Sequence, residues 1–158
     1  PPIMVFDALF IPDSYEQLGL LAPQLAFHEL TGVQLLGVSE WYHPELIEIA
    51  QEHVSGAVIP ALFDPNSRFA FVADFADAYR RAFESEPDAF SAHAYDAANL
   101  VLAQLASGFE SREEVREGLL RMQAYPGASG VTSLRPDGNA RKRPFLLRVK
   151  GSTIVPLD

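Results

Sequence analysis

The sequence predicts an α/β fold, a parallel sheet flanked by helices with a C-terminal β-hairpin region. Short apolar runs rich in β-formers alternate with helical segments over residues 1–63. Helical spacing then dominates residues 64–124. From 125 to 158 the chain turns to short strand candidates around Gly- and Pro-containing turns.

The run Ile3 to Ile11 is almost continuously apolar, as expected for a strand buried on both faces. Ser14 and Gln17 then have the spacing of a capping box, opening a helix with Leu18, Leu21 and Leu25 on one side. Pro23 lies inside that pattern and predicts a kink or an early end. Val33 to Ser39 is the second strand, and Pro44 suits the first turn of a helix carrying Leu46, Ile47 and Ala50. Gly56 to Phe63 is the third strand. Strands joined by helical crossovers pair in parallel.

In the middle, Phe71, Val72, Phe75, Ala76, Tyr79 and Phe83 recur at helical spacing, and the pattern stops before Pro87. Phe90 to Leu105 is a second helix, ended by Gly108. Ser111 and Glu114 form another capping-box pair, opening a helix that buries Val115, Leu119 and Met122. Pro126-Gly127 closes it. Gly130 to Leu134 is a short strand followed by the turn Pro136-Asp137-Gly138-Asn139. Pro144 to Val149 and Thr153 to Pro156 form a hairpin about Lys150-Gly151.

With 21 acidic against 12 basic side chains, the formal net charge is −9, which argues against a nucleic-acid partner. The basic run Arg141-Lys142-Arg143 reads as a solvated loop. No apolar stretch approaches the ~18 residues of a membrane-spanning helix. There are no cysteines, which removes disulfides and thiolate chemistry. The chain opens at Pro1-Pro2 without an initiator Met, so it is expected to be a piece of a longer protein whose targeting signal lies upstream.

No catalytic constellation emerges, and no cofactor or metal is expected. His28, His43, His53 and His93 lack ligand-like spacing; His43 beside Glu45 and Glu48 reads as a helix-start histidine near solvated carboxylates. Gly127-Ala128-Ser129-Gly130 is too short for a nucleophile elbow. Asp74 with Asp77, and Glu113, Glu114 and Glu117, read as solvating charge. One region has the make-up of a binding surface. Open parallel sheets hold ligands at the carboxyl ends of their strands. There the loops Pro12-Asp13-Ser14-Tyr15 and Ser39-Glu40-Trp41-Tyr42 become neighbours, making Ser14, Tyr15, Glu40 and Trp41 the candidate ligand contacts. The alternative is that Trp41 and Tyr42 pack a helix onto the sheet while Glu40 faces water.

Several strings, in order, resemble a known family. Asp7-Ala8-Leu9-Phe10 with the helix after it, and Gly37 to Leu46, are similar to segments of leucine/isoleucine/valine-type solute-binding proteins of the type 1 periplasmic-binding-protein fold. So are Gly56-Ala57-Val58, Ala94-Tyr95-Asp96-Ala97, Arg116 to Leu120 and Gly127 to Gly138. Asp7 to Gln17 and Gly32 to Gly37 look most like one branch, the penicillin-binding-protein activator lipoproteins that stimulate peptidoglycan synthases.

The resemblance implies a non-enzymatic extracytoplasmic domain, periplasmic or anchored at the outer membrane. It further implies a C-terminal fragment of a two-lobed protein, less than half of the parent domain. Residues 1–63 would belong to the second lobe, 64–124 to the first, and 125–158 to the second again. In amino-acid binders a Glu matching Glu40 takes the ligand ammonium, and a contacting Tyr falls on or beside Ser14, with Tyr15 next to it. The departure at Ser14 puts a peptidoglycan synthase ahead as partner; the alternative is a small polar ligand such as an amino acid, held by a receptor of an ABC transporter. Uncovered sheet edges would favour self-association of the fragment.

Overall fold

A computed structural model describes residues 5–157; Ile3 and Met4, where the first strand was expected to begin, lie outside them. The chain divides into two compact units, Pro1–Ala61 with Phe145–Asp158, and Leu62–Pro144. The division at 144/145 falls inside the segment 125–158, whose first part clusters with the helices before it.

The first unit opens with β1 (Ala8–Phe10), α1 (Tyr15–Phe27) and β2 (Gln34–Leu36). A 3-10 turn over Ser39–Trp41 leads to α2 (Glu45–Ala50), and β3 (Val58–Ala61) follows. β1 and β2 pair in parallel, as do β2 and β3. β1 lies at the sheet edge with Ala8 and Phe10 exposed, so the expectation of a strand buried on both faces is corrected: it has one neighbour, and only Leu9 packs on the core. Leu18, Leu46, Val54 and Ile59 are fully buried and form that core with Leu35 and Trp41. Leu25 joins its margin, but Leu21 is exposed.

The Ser14 hydroxyl caps α1 by accepting the Gln17 N–H at 3.4 Å. Pro23 does not end the helix, which runs on to Phe27. Proline removes its own hydrogen bond and crowds the carbonyl four residues before it, but Leu18 and Ala22 before it and Leu25 after it are all anchored on the core and hold the helix in place. Gly19 lets α1 approach α2, because a Cβ there would overlap the Ile49 side chain.

The second unit begins with α3 (Ala70–Phe83), α4 (Ala89–Ala106) and α5 (Arg112–Arg121). Both α4 and α5 open on full capping boxes, Asp88 with Ser91 and Ser111 with Glu114. α3 buries Val72, Phe75 and Ala76, and the Phe75 ring meets Phe63 edge-on at 5.8 Å and Tyr95 at 4.8 Å. On α5 the buried residue is Gly118, with Val115 and Leu119 only half-buried.

Where Pro126-Gly127 was expected merely to close a helix, β4 (Tyr125–Gly127) pairs antiparallel with β5 (Gly130–Leu134). β6 (Ala140–Lys142) completes this three-stranded sheet. Between β5 and β6 the expected turn forms, with the Asn139 carbonyl accepting the Arg135 N–H and Gly138 at φ +85. The chain then returns to the first unit as β7 (Phe145–Lys150) and β8 (Thr153–Pro156). This is the expected hairpin, but it also extends the first sheet. β7 lies antiparallel beside β3, giving the order β1-β2-β3-β7-β8. The sheet is therefore mixed rather than parallel throughout.

Candidate functional site

Because β1 and β2 are parallel neighbours, the loops after Phe10 and Leu36 leave the sheet at the same edge. They hold all four sequence-derived candidates, and the geometry separates them. Tyr15 begins α1, is half-buried, and stacks on His43 with ring centroids 4.0 Å apart and planes 11° off parallel. Its hydroxyl donates to Glu45 Oε2 at 3.4 Å. Loss of hydration raises the Tyr15 hydroxyl above its ordinary value, helped by the charges of Glu16 and Glu45.

Ser14 is half-buried, its backbone N–H donating to Asp13 Oδ1 at 2.8 Å. Its side chain also holds the Glu16 carboxyl below its ordinary value by hydrogen bonding. Glu40 is exposed on the 3-10 turn, where Oε2 accepts the Ser39 hydroxyl at 3.2 Å. Trp41 is fully buried. Its indole N–H donates to the Asp13 carbonyl at 2.9 Å, and a Cβ on Gly37 would overlap its ring. An indole with no exposed surface offers no face to a solute, so its expected role as a direct ligand contact is corrected. Tyr15 and His43, both half-buried, provide the partly accessible aromatic surface in its place.

His43 and Glu45 were read as a helix start, and both lie in this layer. The His43 Nδ1 accepts the Glu45 N–H at 3.3 Å. A hint was available in their spacing, which places His43 just before and Glu45 at the start of α2. Among the described residues no group of three or more His, Cys, Asp or Glu is arranged to hold a metal ion. This wall can present hydrogen-bond acceptors, a phenol and a π-face to a polar molecule.

A second polar centre sits inside the other unit. Asp96 on α4 is buried, and its carboxylate accepts the Ala128 N–H at 2.6 Å and the Ser129 N–H at 2.9 Å. The Ser129 hydroxyl also donates to Asp96, and the Lys142 ammonium donates to Ser129 and lies 3.5 Å from Asp96. Lys142 is thus not a solvated loop residue as expected, although Arg141 and Arg143 are exposed. Burial pulls the Lys142 amine below its ordinary value, against the pull of Asp96. A Cβ at Gly127 would run into the Asp96 carboxylate, which explains the glycine. Among the described residues, the hydrogen bonds and ion pair of the Asp96 side chain go to the turn and to Lys142, so the centre ties β4, β5 and β6 to α4.

The profile of the periplasmic binding protein family matches residues 7–153. No curated protein matches the chain. Among solved structures, a leucine binding protein from Thermotoga maritima shares 27% identity at a TM-score of 0.71, covering 96% of this chain and 44% of its own. A branched-chain amino acid transporter substrate binding protein from Streptococcus pneumoniae, solved with isoleucine, shares 25% at 0.66, covering 96% and 44%. A Rhodospirillum rubrum protein described as a branched-chain amino acid ABC transporter has the same fold at a TM-score of 0.89, with 24% identity and the same coverage. The chain therefore spans under half the length of these solved relatives. An extracytoplasmic location follows from the family. With a profile match running from Asp7 to Thr153, the chain belongs to the periplasmic binding protein family.

Proposed function

We propose that the protein is a solute receptor of an ABC transporter, taking an amino acid or a similar small polar ligand. The observation that carries this reading is Glu40, a carboxylate exposed at the carboxyl end of β2 in the layer that also holds Ser14 and Tyr15. Support comes from two relatives at 25% identity or above, one a leucine binding protein and the other solved with isoleucine. They favour this receptor over an activator of a peptidoglycan synthase. In this reading Pro1–Ala61 with Phe145–Asp158 belongs to one lobe and Leu62–Pro144 to the other. Glu40 accepts the ligand ammonium, while Ser14 and Tyr15 line the same wall.

Calorimetry of the whole protein against leucine, isoleucine and a panel of polar amino acids tests it. Binding is expected, with Glu40→Ala weakening it by about 2–5 kcal/mol, the loss of a charge-assisted contact in a closed cleft. A flat titration sinks the receptor reading, and co-purification of a peptidoglycan synthase in its place would move the function to the activators.

A further inference from the structure

We propose that Trp41 is a positioning residue, one that sets the spacing of the two loops forming this wall without itself touching solute. The inference rests on the receptor reading for its effect on affinity, but not for its effect on the loops. Trp41 directly follows Glu40 in the same 3-10 turn, so whatever fixes the indole fixes the backbone carrying that carboxylate. The other end of the brace is the Asp13 carbonyl, which accepts the indole N–H at 2.9 Å immediately before Ser14 and Tyr15.

The indole has no exposed surface and sits among the core residues, which leaves it little freedom to follow a moving loop. Gly37 supplies the room: its N–H donates to the Val58 carbonyl at 3.0 Å, and its missing side chain leaves space for the ring. A second tie crosses the same gap further out, through the Tyr15–His43 stack and the Tyr15–Glu45 bond. The outer tie is half-exposed; the inner one is part-buried, with its indole end wholly inside the core. Phenylalanine could fill most of the same apolar space, yet it has no N–H for Asp13. The bond, rather than the bulk, is what makes tryptophan specific here.

Trp41→Phe in the whole protein tests this by amide hydrogen exchange, with leucine affinity measured in parallel. Exchange at Gln17 and Leu18, whose N–H groups donate to the Ser14 hydroxyl and carbonyl, and at Tyr42, whose N–H donates to the Ser39 carbonyl, is expected to quicken about tenfold, the effect of one lost hydrogen bond, while exchange in α4 stays unchanged. Leucine affinity should fall by about the same factor with Glu40 still in place. Unchanged exchange at Gln17, Leu18 and Tyr42 overturns the proposal, whatever leucine does. Wild-type protein that ignores leucine, isoleucine and the polar amino acids alike defeats the receptor reading alone, and the exchange result then decides the brace. If Trp41→Phe does not fold, the wild-type indole N–H is followed instead. It should exchange together with the Gln17 and Leu18 amides, and independent exchange overturns the proposal.

Discussion

The unit Pro1–Ala61 with Phe145–Asp158 and the unit Leu62–Pro144 use burial in different ways. In the first, the buried side chains among the described residues are all apolar, with Trp41, Leu18, Leu46 and Ile59 at their centre. Its charge stays outside: no Lys or Arg occurs in the sequence before Arg68, and Glu16, Glu40 and Glu45 are all exposed. In the second unit Asp64, Ser67, Asp96, Gln104, Ser129 and Thr132 are buried polar residues. An apolar core tolerates neighbours of any protonation state, whereas a polar centre holds only while each partner is present. The contrast fits a division of labour in which one unit keeps its carboxylates at the surface and the other buries two, Asp64 and Asp96, within its own structure.

The comparison breaks most visibly at Asp96. Asp96→Ala leaves the Lys142 ammonium without its carboxylate and two buried backbone N–H groups without acceptors. It should destabilise the protein by about 3–5 kcal/mol in urea unfolding. A loss below about 1 kcal/mol would show that water replaces the carboxylate and that the centre is not a structural tie.

Leu18→Ala probes the apolar side. With Leu18 fully buried, a loss of about 3 kcal/mol is expected, and the same loss at pH 5 and pH 8 because no titrating group is buried beside it. A loss that varied between those two values would erase the distinction between the units.

Ser111→Ala is the smallest of the three, about 1 kcal/mol for a helix cap. Hydrogen bonds from the Ser111 backbone and hydroxyl hold the Glu114 carboxyl below its ordinary value. A carboxyl lowered in the folded state contributes stability above its unfolded value and loses it as pH falls through the folded one. The gap between wild type and Ser111→Ala, read from urea midpoints, should therefore narrow in acid.

What the sequence revealed and what it hid divide by the distance between partners along the chain. Capping boxes act over three residues, so Ser111 with Glu114 was readable, and so was the hairpin about Lys150-Gly151. β7 becomes a neighbour of β3 only through pairings such as Ile59 with Leu147, which no local pattern announces. The same holds for Asp96, whose acceptor role depends on Ala128 and Ser129, 32 and 33 residues away. Tyr95-Asp96-Ala97 and the Gly127 to Gly130 turn were each visible as strings, but only contact joins them. At the wall, residue type picked out two loops that the parallel pairing of β1 and β2 makes neighbours, yet it could not place Trp41, because a large aromatic beside a strand end reads alike whether it faces solvent or core.

The register of β3 with β7 has a consequence for how the chain is wired. Ala61, the last residue of one strand, sits directly across from Phe145, the first of the other. Partners in such a pair lie about 5 Å apart, a gap that a two-residue turn closes in an ordinary hairpin. Residues 62–144 thus occupy the place of a turn. Seen as a graph of connections, the first unit is a continuous five-strand design with one tight link replaced by a whole guest, and its own strand order would be the same if that link were short.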